Sequence, residues 1–419
     1  MADSPTIEIE PLVDAAPAEA RQSRLATTFA ALETPAFRML ALNSLLMITM
    51  IQIFIAAQNV VAYDLTGNNR SVGFVQSCQG AAMLMMTLLG GAVADRVAKK
   101  LLIGLTHVAM LGIALLLAIL SITGALNVYF LALAAFLLGA SISYYGPAQL
   151  SFLGELLPLN RRANAAALIQ VTLHAARTIG PLLAGSMLAW RAFGADGTYV
   201  FLTLLALPLL YTAWRLPLRP PPPPSGAHVF HEIREGVRHV IHNRRLLEPV
   251  LAFLIVTMVG FSTIVVLPGF TQNVLHAGPA GFGGMMAANA FGSLIAAFIV
   301  ASLANAHRAT SLMWASCFVF ALFLAITGLM PTYPLALVAF FFAGIASAAY
   351  QTLASAAFLH RAEPAYYGRV VSITTLAWSL TNLTGIVVGS IADLTSERTV
   401  LVGVGLFLAC VVVVLALWS

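Results

Sequence analysis

From Met39 almost to the last residue, apolar runs of about 20 residues alternate with short polar gaps, and a run of that length lets a helix cross the hydrocarbon core of a bilayer. Breaking the runs at charges, prolines and turn pairs predicts twelve helices. The first six lie near 38–63, 72–94, 101–122, 127–150, 163–189 and 198–216. The second six lie near 249–274, 281–304, 310–330, 334–357, 367–391 and 399–418. The expected fold is an all-α integral membrane protein.

The two sets of six resemble each other. Shifted by 205 residues, Tyr145 falls on Tyr350, Ala163 on Gly368, Asn164 on Arg369 and Gly180 on Gly385; shifted by 210, Asp95 falls on Asn305. Offsets near half of the 419 residues mark a duplicated six-helix unit. Two pseudo-symmetric six-helix bundles that rock about a midplane site are an architecture of alternating-access transport, which is the function class this pattern predicts. The expected organisation is a tail over 1–36, a bundle over 37–216, a linker over 217–247 and a bundle over 248–419.

Composition agrees with the pattern. Hydrophobic residues make up 60% and charged residues 9% of the chain, with a mean hydropathy of +0.91, whereas soluble proteins carry about a quarter charged residues. The 21 Lys and Arg would suggest nucleic acid as a partner in a soluble protein; here most sit in the gaps between apolar runs and act as topology signals, so no nucleic-acid partner is expected. With both termini in the cytoplasm, the cytoplasmic side collects 17 of the 21, the outside holds Arg70, Arg191 and Arg398, and Arg177 alone lies within a span. That asymmetry predicts a multi-pass plasma or inner membrane protein. The tail, with Asp3, Glu8, Glu10, Asp14 and Glu19, reads as disordered and cytoplasmic, with a short surface helix over 24–36. In the linker a proline run is followed by Val229, Phe230, Ile233, Val237, Val240 and Ile241 on one helical face opposite Glu232, Arg234, Glu235 and Arg238, which predicts an amphipathic helix along the cytoplasmic interface. Cys78, Cys317 and Cys410 lie far apart in apolar segments, so packing is their expected role, and no metal site or cofactor is expected.

The gap between the second and third spans, Gly91-Ala-Val-Ala-Asp95-Arg96-Val-Ala-Lys99-Lys100, is dense in charge for its length. Glycine lets helices two and eleven approach, Asp95 can face the positive N-terminal end of a neighbouring helix, and Lys99 can pair with Glu155 at the end of helix four. Such a cluster at the cytoplasmic mouth predicts a gate. The stretch resembles the loop 2–3 signature of the major facilitator superfamily, Gly-x-Leu-Ala-Asp-Arg-x-Gly-Arg-Arg, with Ala98 in place of the second glycine and Lys99 in place of an arginine. The resemblance covers nearly the whole chain and is nearest to the transmembrane secretion effector branch, which includes siderophore and macrolide exporters; AYDLTG at 62–67, PAQLSFLGELLP at 147–158, the stretch 164–185 and IREGVRHV at 233–240 carry it.

In helix five, Ala176, Gly180 and Ala184 lie one turn apart and Pro181 removes a backbone bond. Gly180, Pro181 and Gly185 resemble the antiporter signature Gly-x-x-x-Gly-Pro-x-x-Gly-Gly, which implies proton-coupled export. On the same helix Gln170, His174 and Arg177 fall at i, i+4 and i+7, placing Arg177 about 20 Å from the helix start at about 1.5 Å per residue. A charge at that depth needs a wet cavity or a partner, and bonds to helix carbonyls would serve as well. The 205-residue shift sets Thr375, Ser379 and Asn382 of helix eleven opposite this stripe. Further cavity candidates are Thr49, Gln52 and Asn59 on helix one, Ser141, Tyr144 and Tyr145 on helix four, Tyr350 on helix ten, and Trp378, able to stack on an aromatic ligand. For each one singly, interhelical hydrogen bonding is the competing role.

Asp64, Asp95, Glu155, Glu248 and Asp393, the acids nearest the membrane, all lie close to helix ends. A deep cation without a counter-carboxylate predicts a small anionic or neutral polar substrate. Proton coupling has two candidate carriers, His174 and Asp64. Enzyme signatures such as His-Glu-x-x-His, Gly-x-Ser-x-Gly and the phosphate loop are missing from the chain, and no filter-like loop suggests a channel. A non-transporting sensor or scaffold, an importer and a uniporter remain as alternatives, and a monomer is expected.

Overall fold

Pro35 opens the first helix where its missing N–H costs nothing, and Gly67 ends it in the left-handed region at φ 67. The computed structural model describes residues 30–94, 97–218, 244–303, 309–361 and 367–418. Twelve helices follow in order: α1 (Pro35–Thr66), α2 (Asn69–Ala94), α3 (Lys99–Ile122), α4 (Val128–Leu156), α5 (Leu159–Ala189) and α6 (Gly194–Arg215), then α7 (244–274), α8 (Gly278–Leu303), α9 (Ala309–Leu329), α10 (Tyr333–Arg361), α11 (Tyr367–Leu394) and α12 (Glu397–Trp418). Among the described residues eight of them, α1, α3, α4, α6, α7, α9, α10 and α12, are long and apolar enough to cross a membrane. The amphipathic stretch expected at 229–241 and the tail before residue 30 lie outside the described residues; 30–33 form a 3₁₀ turn whose Glu33 pairs with Arg161 at 3.0 Å.

The helices form two six-helix bundles with matching neighbours: α2 on α4 and α8 on α10, α1 on α5 and α7 on α11, α3 on α6 and α9 on α12. The duplication is visible in single contacts. Gly139 of α4 leaves no room for a Cβ against the Gln79 carbonyl of α2, and 205 and 210 residues later Gly344 of α10 stands in the same way against Asn289 of α8. α4 and α10 begin at 128 and 333 and end at 156 and 361, both 205 residues apart.

The bundles turn their greasy side outward, as lipid allows. On α3, Leu101, Leu105, Val108, Leu115 and Ile119 form one exposed stripe at helical spacing. Polar side chains join the helices within. Asn43 of α1 donates to Thr212 Oγ1 of α6 at 2.8 Å, Gln58 of α1 to Gln79 of α2 at 3.1 Å, and Gln76 of α2 to Asn59 of α1 at 3.1 Å. Without a hydrophobic drive between helices in lipid, such bonds and close glycine packing carry the association. Cys317 is buried in this packing, whereas Cys410 is exposed on α12.

α7 is the irregular helix. Widened π turns over Val256–Gly260 and Phe270–Val274 flank a tight 3₁₀ segment, Phe261–Val266, so its faces are re-phased along its length. Neighbours take up the consequences. Thr384 of α11 donates to the Met258 carbonyl at 2.9 Å, and Thr257 shares a 3.0 Å hydrogen bond with the buried Tyr350 hydroxyl.

Candidate functional site: the cleft between the bundles

The bundles meet along two seams, α2 against α11 and α5 against α8, and both are closed by glycine. Gly73 of α2 lies directly on the Gly385 carbonyl of α11, and a Cβ on Gly80 would stand 2.7 Å from the Ser379 carbonyl. In the other seam a Cβ on Gly185 would stand 2.7 Å from the Pro279 carbonyl, and one on Gly283 would stand 2.5 Å from the Pro181 carbonyl. Gly73 and Gly283 are 210 residues apart, so the two seams are copies of one another.

All of these contacts lie toward one face, the one that carries the connections α1–α2, α5–α6, α7–α8 and α11–α12, termed here the odd-loop face. A polar network closes it further. Asp393 accepts the backbone N–H groups of Asn69 at 2.7 Å and Arg70 at 2.8 Å, the first two residues of α2. Glu397 Oε1 accepts from Asn273 at 2.8 Å and Asn69 at 3.3 Å, and Gln272 donates to Asp64 Oδ1 at 2.7 Å. The partners of these three carboxylates are neutral amides, backbone N–H groups and the Tyr63 hydroxyl, 3.5 Å from Glu397 Oε1.

Along α5 the inner face changes character. At the odd-loop end Gly180, Pro181, Ala184 and Gly185 are buried. Gln170 and Arg177 lie on the same face nearer the other end and are exposed, with His174 half-buried between them. Ile179, Leu182 and Ser186, exposed on the opposite face, mark the lipid side. The inner face of α5 is thus sealed at the odd-loop end and solvent-accessible toward the even-loop end, where Gln170 and Arg177 are exposed.

Other sequence candidates are distributed differently. Gln52 is half-buried on α1, against Gly180. Asn382 is half-buried with its Cβ against Gly80, and Trp378 packs edge-on to Phe261 with ring centroids 5.0 Å apart. Tyr144 is half-buried with its hydroxyl on Met86 Sδ at 3.5 Å. Tyr145, Tyr350, Asn59 and Ser379 are at most 3% exposed and belong to helix packing: Tyr145 lies beside His107, Tyr350 beside Phe253 and Phe320, and Asn59 binds α2. The reason is that a helical face shielded from lipid borders either a cleft or a neighbouring helix, and burial assigns these four to neighbours. Ser141 is buried too. The side chain of Thr375 lies outside the described residues.

At the even-loop face, Lys99 is buried at the start of α3 and Glu155 is half-buried at the end of α4, its Oε2 shielded from solvent. Asp95, Arg96 and the surroundings of Gly91 lie outside the described residues. Residues with no place in the sequence-derived site are Tyr63, Asn69, Gln272, Asn273 and Glu397, with Gly73, Gly80 and Gly283 of the two seams. Their one sequence signal was the recurrence of glycine at 73 and 283.

Two pseudo-symmetric six-helix bundles, closed on each other at one face by two glycine seams, are the architecture of a non-enzymatic membrane transporter. The chain belongs to the Major Facilitator Superfamily, whose family model matches residues 40–386. It is 28% identical over 366 residues to an enterobactin exporter of Shigella flexneri, covering 85% of this chain and 83% of that one. To an enterobactin exporter of Citrobacter koseri it is 27% identical over 365 residues, covering 85% and 84%. Among solved structures, the nucleoside transporter NupG superposes with a TM-score of 0.73 at 14% identity, over 91% of this chain and 99% of that one. A bacterial homologue of the lysosomal transporter Spinster, in an inward-facing conformation, superposes with a TM-score of 0.70 at 15% identity, over 91% and 94%.

Proposed function

We propose that the chain is a proton-coupled secondary exporter of a small polar or anionic organic molecule, of the kind exemplified by siderophores and secondary metabolites, working by alternating access. The observation that carries this reading is the change along α5 from buried glycine to exposed Gln170 and Arg177. It is supported by the exporter names of the relatives, by Gly180, Pro181 and Gly185, and by the lack of acids deep in the spans.

The basic residues favour placing both termini and the even-loop face in the cytoplasm of a plasma or inner membrane. In that orientation the odd-loop face is the outer one, the cleft opens inward, and substrate reaches Arg177 from the cell interior. Asp95, Arg96, Lys99 and Glu155 then form the inner gate, which closes as the outer seams part. The protein works as a monomer, because the cleft lies within one chain.

The test is reconstitution of the purified chain in vesicles carrying a pH gradient, with a radiolabelled anionic chelator as cargo. Accumulation that follows the gradient and collapses with an ionophore is the expected result. Accumulation indifferent to the gradient would mark a uniporter, and no movement of any cargo would leave the sensor reading.

A further inference from the structure

The last turns of α11 read Gly389-Ser-Ile-Ala392-Asp393, and in the sequence the same pattern, Gly91-Ala-Val-Ala94-Asp95, falls where α2 stops at Ala94. The same Gly-x-x-Ala-Asp thus closes the two helices of one seam, and because α2 and α11 run in opposite directions across the membrane, the two copies sit on opposite faces. The copy on α11 is engaged. A Cβ on Gly389 would stand 2.7 Å from the Asn69 carbonyl carbon and 3.1 Å from the Arg70 nitrogen, so only glycine admits the start of α2 at that depth. One turn on, the two oxygens of Asp393 accept the Asn69 and Arg70 N–H groups at 2.7 and 2.8 Å. The first N–H groups of a helix have no partner in their own helix, and they carry the positive end of its dipole. A carboxylate supplied by the other bundle satisfies both needs at once. At the start of α12, Glu397 reaches Asn69 of the first bundle and Asn273 of the second.

We propose that Gly389–Asp393 is a clasp, the opposite-face twin of the 91–95 stretch, which holds the odd-loop mouth shut by capping α2 from the other bundle and must let go for that mouth to open. The contact is specific to one state. Separation of the bundles at this face strips both N–H groups of their acceptor and returns Asp393 to solvent, so clasp strength sets the population of the open mouth. Glycine and aspartate act together: the first allows the approach, the second makes use of it. Calling this mouth the outer one rests on the orientation proposed above, but the clasp itself does not.

The experiment measures distance, not transport. With Cys78, Cys317 and Cys410 replaced by serine, spin labels are placed at Ala125 and Thr332, exposed loop positions of the two bundles on this face, and the full chain is studied in lipid nanodiscs by pulsed dipolar spectroscopy. Asp393→Asn keeps the shape but leaves a single acceptor oxygen and no charge. It is expected to raise the ratio of the longer-distance to the shorter-distance population by roughly tenfold, the scale of one charge-assisted hydrogen bond. Gly389→Leu is expected to do the same by bulk, and Asp95→Asn to leave that ratio unraised. Unchanged distances in both α11 variants would overturn the clasp. An equal rise in Asp95→Asn would overturn it too, by marking general loosening. A chain that carried no cargo would leave this readout intact, so the clasp and the transport reading fail separately.

Discussion

Gly185 of α5 and Gly283 of α8 meet backbone to backbone across the bundle boundary: a Cβ built on Gly185 would stand 2.8 Å from the Cα of Gly283. Neither helix can take a side chain there while the seam is closed, because the obstructing atoms are main chain. Glycine in the antiporter-like stretch 180–185 therefore has a steric task, that of letting the bundles close.

Gly283→Leu follows from this contact. The three atoms nearest a Cβ added there, led by the Pro181 carbonyl at 2.5 Å, all belong to the first bundle, so the substitution acts first on the closed seam. Labelling of a single cysteine placed in the cleft by a membrane-impermeant maleimide, applied from the odd-loop side, is expected to speed up by about tenfold, and turnover in vesicles to fall. The melting temperature of the purified protein should move little. A large drop in melting temperature with unchanged labelling would assign the glycine to folding.

Arg177 supports a different prediction. It is a solvent-accessible cation at mid-helix, and at that depth in a membrane protein a cation attracts anions more strongly than one on an aqueous surface. Arg177→Ala is expected to reduce binding of anionic cargo by about tenfold or more, as calorimetry would record, while binding of neutral polar cargo changes little. Arg177→Lys should recover only part, because a planar fork and a point charge hold a carboxylate differently. Equal losses for anionic and neutral cargo would show that Arg177 braces the bundle.

Stability inside the first bundle can be probed at Asn43. Its side chain is fully buried and donates to Thr212 Oγ1 and, at 3.3 Å, to the Leu209 carbonyl, tying α1 to α6. Asn43→Ala removes both interhelical bonds from the interior, although the Thr212 hydroxyl still donates to the Leu209 carbonyl at 2.8 Å, and is expected to cost about 1 kcal/mol, measurable by denaturant titration in detergent. Transport per folded molecule should be unchanged, because the side chain of Asn43 is directed to α6 and not to α5.

The helices were legible because a bilayer demands long apolar runs, and those runs are hard to mistake. Their ends were less so: α5 starts at Leu159 and not near 163, since Asn160, Arg161 and Arg162 continue a helix after apolarity has stopped. The turns of α7 carry no sequence mark, because Val, Phe and Ile serve equally in α, π and 3₁₀ geometry. In the candidate site, the α5 stripe was readable from spacing alone. Tyr145, Tyr350 and Asn59 were not separable from cleft residues, since both kinds avoid lipid. The odd-loop network escaped notice for the opposite reason: Asn69, Gln272 and Asn273 look like ordinary residues at span ends until the bundles are brought together.

His174 lies three residues before Arg177 on the same stripe, and it is the one imidazole of that stripe. An anion seated on Arg177 would favour the imidazolium form of His174, since opposite charges stabilise each other most where water is scarce. Anion and proton would then bind together, and by reciprocity a falling pH would tighten the anion. Calorimetry of an anionic cargo in two buffers of different ionisation enthalpy at about pH 7 is expected to show proton uptake on binding in the native chain and almost none in His174→Ala. Coupling of this sign carries both partners through the site in the same direction. Exchange of cargo for protons would therefore have to run through the conformational equilibrium, for which Asp64, joined to Gln272 of the other bundle at 2.7 Å, is the placed residue. If His174→Ala instead leaves proton uptake intact, the proton resides elsewhere, and the same measurement on Asp64→Asn decides whether it resides there.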